Sequence, residues 1–282
     1  AASARAGDVA VAGGEKVAFL GDSITQNGAA SGSGYVRQVA SGLKANGINI
    51  EVIAAGIGGH KSPQMLERLG RDVISKQPTW VTISCGVNDV MHGDKGVDLA
   101  TYRKHMTDIV DQCQAAGIKV MLLTATPIGE DLDGPMNKTL AAYNDFVREL
   151  AAEKKCLLAD LNAAIAAELT RLRAGPHPKG HMLTTDGVHM NPLGNRVMAV
   201  GVLKAFGLDE AQMQKAQDVW LDEPKAVELK PTITLRQYEK LFAAAADQGA
   251  QLNATLNETV STAIDSLPNG AATTQPTTQT MK

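Results

Sequence analysis

Five short apolar runs spread over the first 161 residues restrict this chain to very few architectures. They read "KVAFL" (16–20), "INIEVIAA" (48–55), "WVTISC" (80–85), "IKVMLLTAT" (118–126) and "CLLADL" (156–161). Each has the length of a strand, and near-continuous apolarity suits a strand covered on both faces. Between them lie segments with helical spacing, such as "YVRQVASGLKANG" and "YRKHMTDIVDQCQAAG". In the second, Met106, Ile109, Val110 and Cys113 recur at three- and four-residue intervals, and Gly117 is placed to stop the helix. Strands alternating with helices predict an α/β protein with a parallel sheet covered on both faces. In open sheets of this kind ligands bind beyond the carboxyl ends of the strands. The segments that follow the runs are therefore where a site is sought.

Composition narrows the function classes. The 27 basic and 30 acidic residues leave a formal net charge of −3, and no basic block occurs. Nucleic acid is excluded as a partner on that basis, since neutralising phosphates takes a concentrated positive face. No uninterrupted apolar segment approaches the length that spans a bilayer. The three cysteines, Cys85, Cys113 and Cys156, are far apart and form no CxxC pair, so they read as small buried apolar residues. The start, "AASARAGDVAVAGG", lacks Met and is rich in small residues. This is what remains beside a cleaved signal peptide, and a cloning boundary looks the same; the expectation taken from it is export, periplasmic or secreted.

Residues 1–15 are thus expected as a leader remnant and 16–207 as the main domain, which closes with a helix from Pro192 to about Phe206. Residues 208–266 read as a helical appendage for which Trp220 is a candidate anchor, and 267–282 as a polar disordered tail. No internal repeat is present.

Polar and glycine-rich groups gather where the runs end. "GDSITQ" with Ser23 follows the first, and "AGIGGHKS" with Gly56, Gly58 and Gly59 ends the second. "GVNDV" with Asn88 and Asp89 follows the third, and "TATPIG" closes the fourth. Well beyond the fifth comes "TTDGVHMNPLGN", with Asp186 and His189. These are the parts acyl transfer requires. A serine hydroxyl attacks effectively only when an imidazole accepts its proton, and the imidazole needs a carboxylate to fix its tautomer. The oxyanion needs donors, for which glycine and serine N–H groups and an asparagine amide are suited. "Ser-Ile-Thr-Gln" (23–26) also fits a capping box, in which Ser23 would accept from a backbone N–H and Gln26 would reach back. Taken alone, the peptide leaves both readings open.

Four blocks, "GDSIT" (21–25), "GIGG" (56–59), "GVND" (86–89) and "DGVH" (186–189), resemble in order those of the SGNH hydrolases, the GDSL esterase/lipase family. The resemblance spans about residues 16 to 206. It implies a three-layer α/β/α, flavodoxin-like fold with a five-stranded parallel sheet in order 2-1-3-4-5, and no metal or organic cofactor. Carried over position by position, Ser23 is the nucleophile, His189 the general base and Asp186 the orienting acid. The backbone N–H groups of Ser23 and Gly59 and the side chain of Asn88 form the oxyanion hole, with Gly56 serving the turn.

The remaining candidates are weighed against plainer roles. His60 borders the site as a candidate substrate contact, and a solvated loop histidine fits equally. Asp22, beside Ser23, is placed with it as a candidate for substrate binding; Asp22 and Asp89 otherwise read as local hydrogen-bonding residues. His177 and His181 have helical spacing, but the prolines and glycines of "GPHPKGH" argue against a metal site. "GIGGHKS" matches neither GxxxxGK[ST] nor GxGxxG, which sets nucleotide binding aside. The expected reaction is hydrolysis of short-chain esters, acetyl foremost, including O-acetyl groups on carbohydrates. The rivals are a lipase, lysophospholipase or thioesterase for longer acyl chains, and a non-catalytic carbohydrate-binding protein.

Overall fold

The computed structural model describes residues 9–175, 180–222, 234–247 and 251–267. The five runs become β1 (Lys16–Gly21), β2 (Glu51–Gly56), β3 (Trp80–Ser84), β4 (Lys119–Leu123) and β5 (Leu157–Ala159). They form one parallel sheet in the order β2-β1-β3-β4-β5, the order the resemblance implies. Winding direction reverses at β1, so a crevice opens beyond the carboxyl ends of β1 and β3. "GDSIT" and "GVND" lie at that crevice.

Connecting and following the strands are α1 (Ser23–Ala30), α2 (Tyr35–Ala45), α3 (Ser62–Asp72), α4 (Val87–Met91), α5 (Leu99–Ala115), α6 (Pro135–Glu153), α7 (Leu161–Arg173), α8 (Pro192–Phe206) and α9 (Glu210–Leu221). They pack in two sets. α1, α2, α7, α8 and α9 contact one another, as do α3 with α5 and α6 with α4 and α5. Cover on both faces explains the continuous apolarity of the central strands: Val17 to Gly21 and all of β3 are buried. Phe19, Leu20, Ile83 and Leu122 are wholly buried, each contributing about 1.5–3 kcal/mol. β2 lies at the sheet edge, and the second run is only partly strand: Ile48 and Ile50 precede β2 and pack against the core from outside it. Cys85 and Cys113 are buried and all three cysteines are free.

The first compact unit extends to residue 227 and includes α9, which is seated on α2. A Cβ on Gly42 would meet Leu203 Cδ1 at 2.8 Å, Ala216 Cβ at 2.9 Å and Trp220 Cζ2 at 3.0 Å, so the missing side chain admits α8 and α9 together. Trp220 is 7% exposed, and its Nε1 donates to Gln38 O at 2.8 Å. The second unit, residues 228–282, holds α10 (Leu235–Asp247) and α11 (Leu252–Asp265), which pack on each other. Most of residues 1–15 and nearly all of the expected tail lie outside the described residues.

Candidate active site

Ser23 is the first residue of α1, immediately beyond β1, and the local geometry revises the capping-box reading. The cap is Asp22, whose Oδ1 accepts from Ile24 N at 2.9 Å, so the Ser23 hydroxyl is free of capping duty. Gln26 does not reach back to the cap; its Oε1 accepts from Gly58 N at 2.8 Å and ties the "GIGG" loop to α1. Gly56 permits close approach rather than a turn, since a Cβ there would meet Gln26 N at 2.3 Å. The turn belongs to Gly59, whose φ of +74° disfavours any side chain.

The two residues from "DGVH" meet Ser23 across 166 positions of sequence: His189 Nε2 lies 2.9 Å from Ser23 Oγ. On the other edge of the ring, His189 Nδ1 lies 2.6 Å from Asp186 Oδ2. The second Asp186 oxygen accepts from Val188 N at 2.9 Å and His189 N at 2.8 Å, which locks the carboxylate orientation. Partial burial opposes its ionisation, but the His189 side chain and these two N–H groups outweigh it and hold the carboxyl at about 2. The pair is open to solvent, with side-chain exposures of 34% for His189 and 53% for Asp186.

The donor side is assembled from three elements. The Ser23 N–H, at the first position of α1, has no intrahelical acceptor. A Cβ on Gly58 would lie 3.7 Å from Ser23 Cβ, which places the loop beside the serine, and the neighbouring Gly59 is exposed. Asn88, at the start of α4, is buried, and its Nδ2 donates to Asp22 Oδ2 at 3.3 Å and to His60 O at 3.2 Å. The Asn88 Oδ1 lies 3.3 Å from His92 Nε2.

Asp22 and His60, the two expected substrate contacts, both have partners within the protein. Asp22 is 2% exposed and both its oxygens are engaged, one by Ile24 N and the other by Asn88 Nδ2. Burial pushes its carboxyl up to about 6, against the lowering effects of the Ile24 N–H and of His189. The His60 ring accepts at Nδ1 from Arg68 Nε at 3.2 Å. Burial, then the Arg68 charge, lower its pKa. Asp89 is a local bracket: Oδ1 accepts from Ser62 N at 3.0 Å and Ser62 Oγ at 2.7 Å, joining α3 to α4.

The Asp22 burial makes a measurable prediction. Its folded pKa lies above the ordinary value of 3.8, so the folded state holds a proton the unfolded state releases. Stability from this group therefore falls as pH rises from about 4 to about 6 and is level above, a loss of roughly 3 kcal/mol. Asp22→Asn keeps the cap acceptor and removes the ionisation. Urea unfolding at pH 4 and pH 7 should show the variant gaining on the wild type by that order at the higher pH. A stability difference that does not change with pH would contradict this.

Sequence reasoning missed Arg68, which is 4% exposed and donates to Ala55 O and Gly21 O, each at 2.8 Å, bracing the ends of β2 and β1. Its signal was available: it shares the apolar stripe of α3 with Met65 and Leu69. Glu130 and His92 were missed as well. Among the described residues no three His, Cys, Asp or Glu side chains are grouped as metal ligands; His181 is exposed and His177 lies outside the described residues.

A serine, an imidazole and a carboxylate in series at a strand end, with unengaged N–H groups beside the serine, have the chemistry of an ester hydrolase. Comparison with known proteins agrees. Residues 19–197 match the GDSL-like Lipase/Acylhydrolase family. An acetylxylan esterase of Geobacillus stearothermophilus is 30% identical over 218 residues, 71% of this chain and 97% of its own length. Its crystal structure superposes with a TM-score of 0.63, and two further structures of it carry substitutions, of a serine and of an aspartate, described as catalytic. The acetyl xylan esterase AlAXEase, 36% identical, covers 67% of this chain and 98% of its own with a TM-score of 0.63. An uncharacterized lipoprotein of Bacillus subtilis (strain 168) is 24% identical over 182 residues, 55% of this chain and 72% of its own length. The chain belongs to the GDSL-like lipase/acylhydrolase family and is a carboxylic ester hydrolase. Among the described residues no helix is long and apolar enough to cross a membrane.

Proposed function

We propose that this enzyme removes acetyl groups from carbohydrate esters, with Ser23 as nucleophile, His189 as general base and Asp186 as its orienting acid. The observation that carries the reading is the unbroken series Ser23 Oγ, His189 and Asp186, at 2.9 Å and 2.6 Å. His189 Nε2 takes the hydroxyl proton as Ser23 Oγ attacks the ester carbonyl, and Asp186 stabilises the imidazolium. The N–H groups of Ser23 and Gly59 and the Asn88 amide receive the oxyanion, so Asn88 releases its contact with His60 O as substrate enters. Collapse expels the alcohol, which takes the proton from His189. A water activated by the same imidazole then hydrolyses the acetyl-enzyme.

The two relatives named for acetyl xylan support the carbohydrate, and the openness of the site supports a small acyl group on a bulky alcohol. The similarity to a lipoprotein of Bacillus subtilis is in keeping with an exported enzyme. A p-nitrophenyl ester series from C2 to C12, run beside acetylated xylo-oligosaccharides, tests the reading. kcat/KM should peak at C2 and acetate should be released from the oligosaccharides. A rise beyond C8 with no acetate release would favour the lipase or thioesterase alternative.

A further inference from the structure

Glu130 lies outside the four sequence blocks, in the loop between β4 and α6, yet it makes four hydrogen bonds to the segment that leads into Asp186 and His189. It is 8% exposed. Its Oε1 accepts from Leu183 N at 2.8 Å, Thr184 N at 2.9 Å and Thr184 Oγ1 at 2.8 Å, and its Oε2 accepts from Met182 N at 2.7 Å. Three consecutive backbone N–H groups converging on one point form an anion-binding nest, and here the anion is part of the protein. The four donors outweigh burial, the largest single influence, and hold the Glu130 carboxyl below the ordinary glutamate range.

The nest sits two residues before Asp186, and the connection continues. Having donated its proton to Glu130, the Thr184 hydroxyl accepts from Gly187 N at 3.1 Å. The residue beside Glu130 completes the grip from the other side: Gly129 N donates to Gly187 O at 2.7 Å. Asp186 is thus held between two anchored positions, Thr184 and Gly187. Past it, His189 O accepts from Thr185 N at 2.8 Å, closing the turn that carries the imidazole. The Glu130 loop is itself tied to α7, where Arg173 Nη2 donates to the Glu130 carbonyl. None of these bonds belongs to a regular helix or strand. They tie the turn bearing Asp186 and His189 to the β4–α6 loop, while Asn191 ties its flank to the start of α8 by donating to Leu183 O and Met182 O.

We infer that Glu130 is the positioning residue of the catalytic acid–base pair, acting through Thr184 and Gly187 to keep Asp186 and His189 in line with Ser23. This rests on the assignment of those three residues made above. A general base misplaced by about 1 Å can lose 10²-fold in rate, so the clamp acts on kcat rather than on substrate binding. Glu130→Gln leaves one acceptor oxygen for four donors and turns an N–H₂ group toward Met182 N–H. Thr184→Val keeps the shape and removes the hydroxyl relay, while Thr184→Ser retains it.

The test measures steady-state hydrolysis of p-nitrophenyl acetate, labelling of Ser23 by a serine-directed phosphonate, and Tm, all in the full chain. Glu130→Gln and Thr184→Val should each lower kcat between about 10- and 100-fold with KM within about twofold, and slow labelling in parallel. Thr184→Ser should restore kcat to within about threefold of wild type. Variants that lose Tm but keep wild-type kcat and labelling would show Glu130 to be a fold anchor only, and so would equal behaviour of the Val and Ser variants. If Glu130→Gln does not fold, the Thr184 pair decides alone. Ser23→Ala, run alongside, separates the two claims: activity surviving there overturns the triad itself, whereas an inactive Ser23→Ala beside fully active Glu130 and Thr184 variants overturns only the clamp.

Discussion

Replacing Ser23 with alanine is expected to lower kcat for p-nitrophenyl acetate on the order of 10⁶-fold, to a residue of activity that the oxyanion donors alone sustain. The change removes the atom proposed to attack the carbonyl. The fold should not notice it, because α1 is capped by Asp22 and not by the serine hydroxyl. Far-UV circular dichroism and Tm should match the wild type, and phosphonate labelling should vanish. Activity within tenfold of wild type would mean that another residue attacks, and the proposed mechanism would be wrong. Because the cap and the nucleophile are adjacent residues, this variant separates structure from chemistry cleanly. Ser23→Gly would not, since it also loosens the backbone of the first turn.

Asp186→Asn is expected to cost about 10⁴-fold in kcat, for a reason of tautomer rather than charge alone. Asparagine retains the oxygen that accepts from Val188 N and His189 N, so the turn stays closed. Its amide N–H₂ then replaces the oxygen 2.6 Å from His189 Nδ1. Facing a donor, Nδ1 must be unprotonated, which puts the ring proton on Nε2, where it points at Ser23 Oγ. An imidazole in that state cannot accept the serine proton. The check is steady-state kinetics with thermal unfolding as control; a loss below tenfold would remove Asp186 from the mechanism. Since the wild-type carboxyl is held at about 2, it stays ionised throughout the working range. An acid limb in the activity profile therefore does not report Asp186.

The legible part of this molecule was what short-range physics writes into a chain. Continuous apolar runs such as "WVTISC" mark strands covered on both faces, and all of β3 is buried. Helical spacing marked α5, where Met106, Ile109, Val110 and Cys113 are the buried stripe. The alternation of the two implied a parallel sheet, and a parallel sheet directs attention to residues just past its strand ends. Ser23 and Asn88 lie there, whereas Asp186 and His189 come well beyond β5 and were joined to them as candidates by the resemblance of the four blocks. Questions left open came from the same level: the capping box and Gly56 each had a local pattern that fitted, and the structure gives Gln26 and Gly56 long-range partners instead. Gln26 bonds Gly58, 32 residues away, and Gly56 is needed where β2 meets the backbone of α1.

Sequence by itself thus determined the element types and the sheet class and named the candidate reacting groups. Tertiary structure alone decided how those groups are held: Asp22 buried beneath Asn88, Arg68 across the ends of β1 and β2, α9 seated at Gly42, and Glu130 gripping the catalytic loop. The physical reason is range. Propensity, capping and periodicity act over about four residues, whereas these partners lie between 13 and 178 residues apart. Which buried donor meets which acceptor is settled only when loops close around a packed core, and no local pattern encodes that meeting.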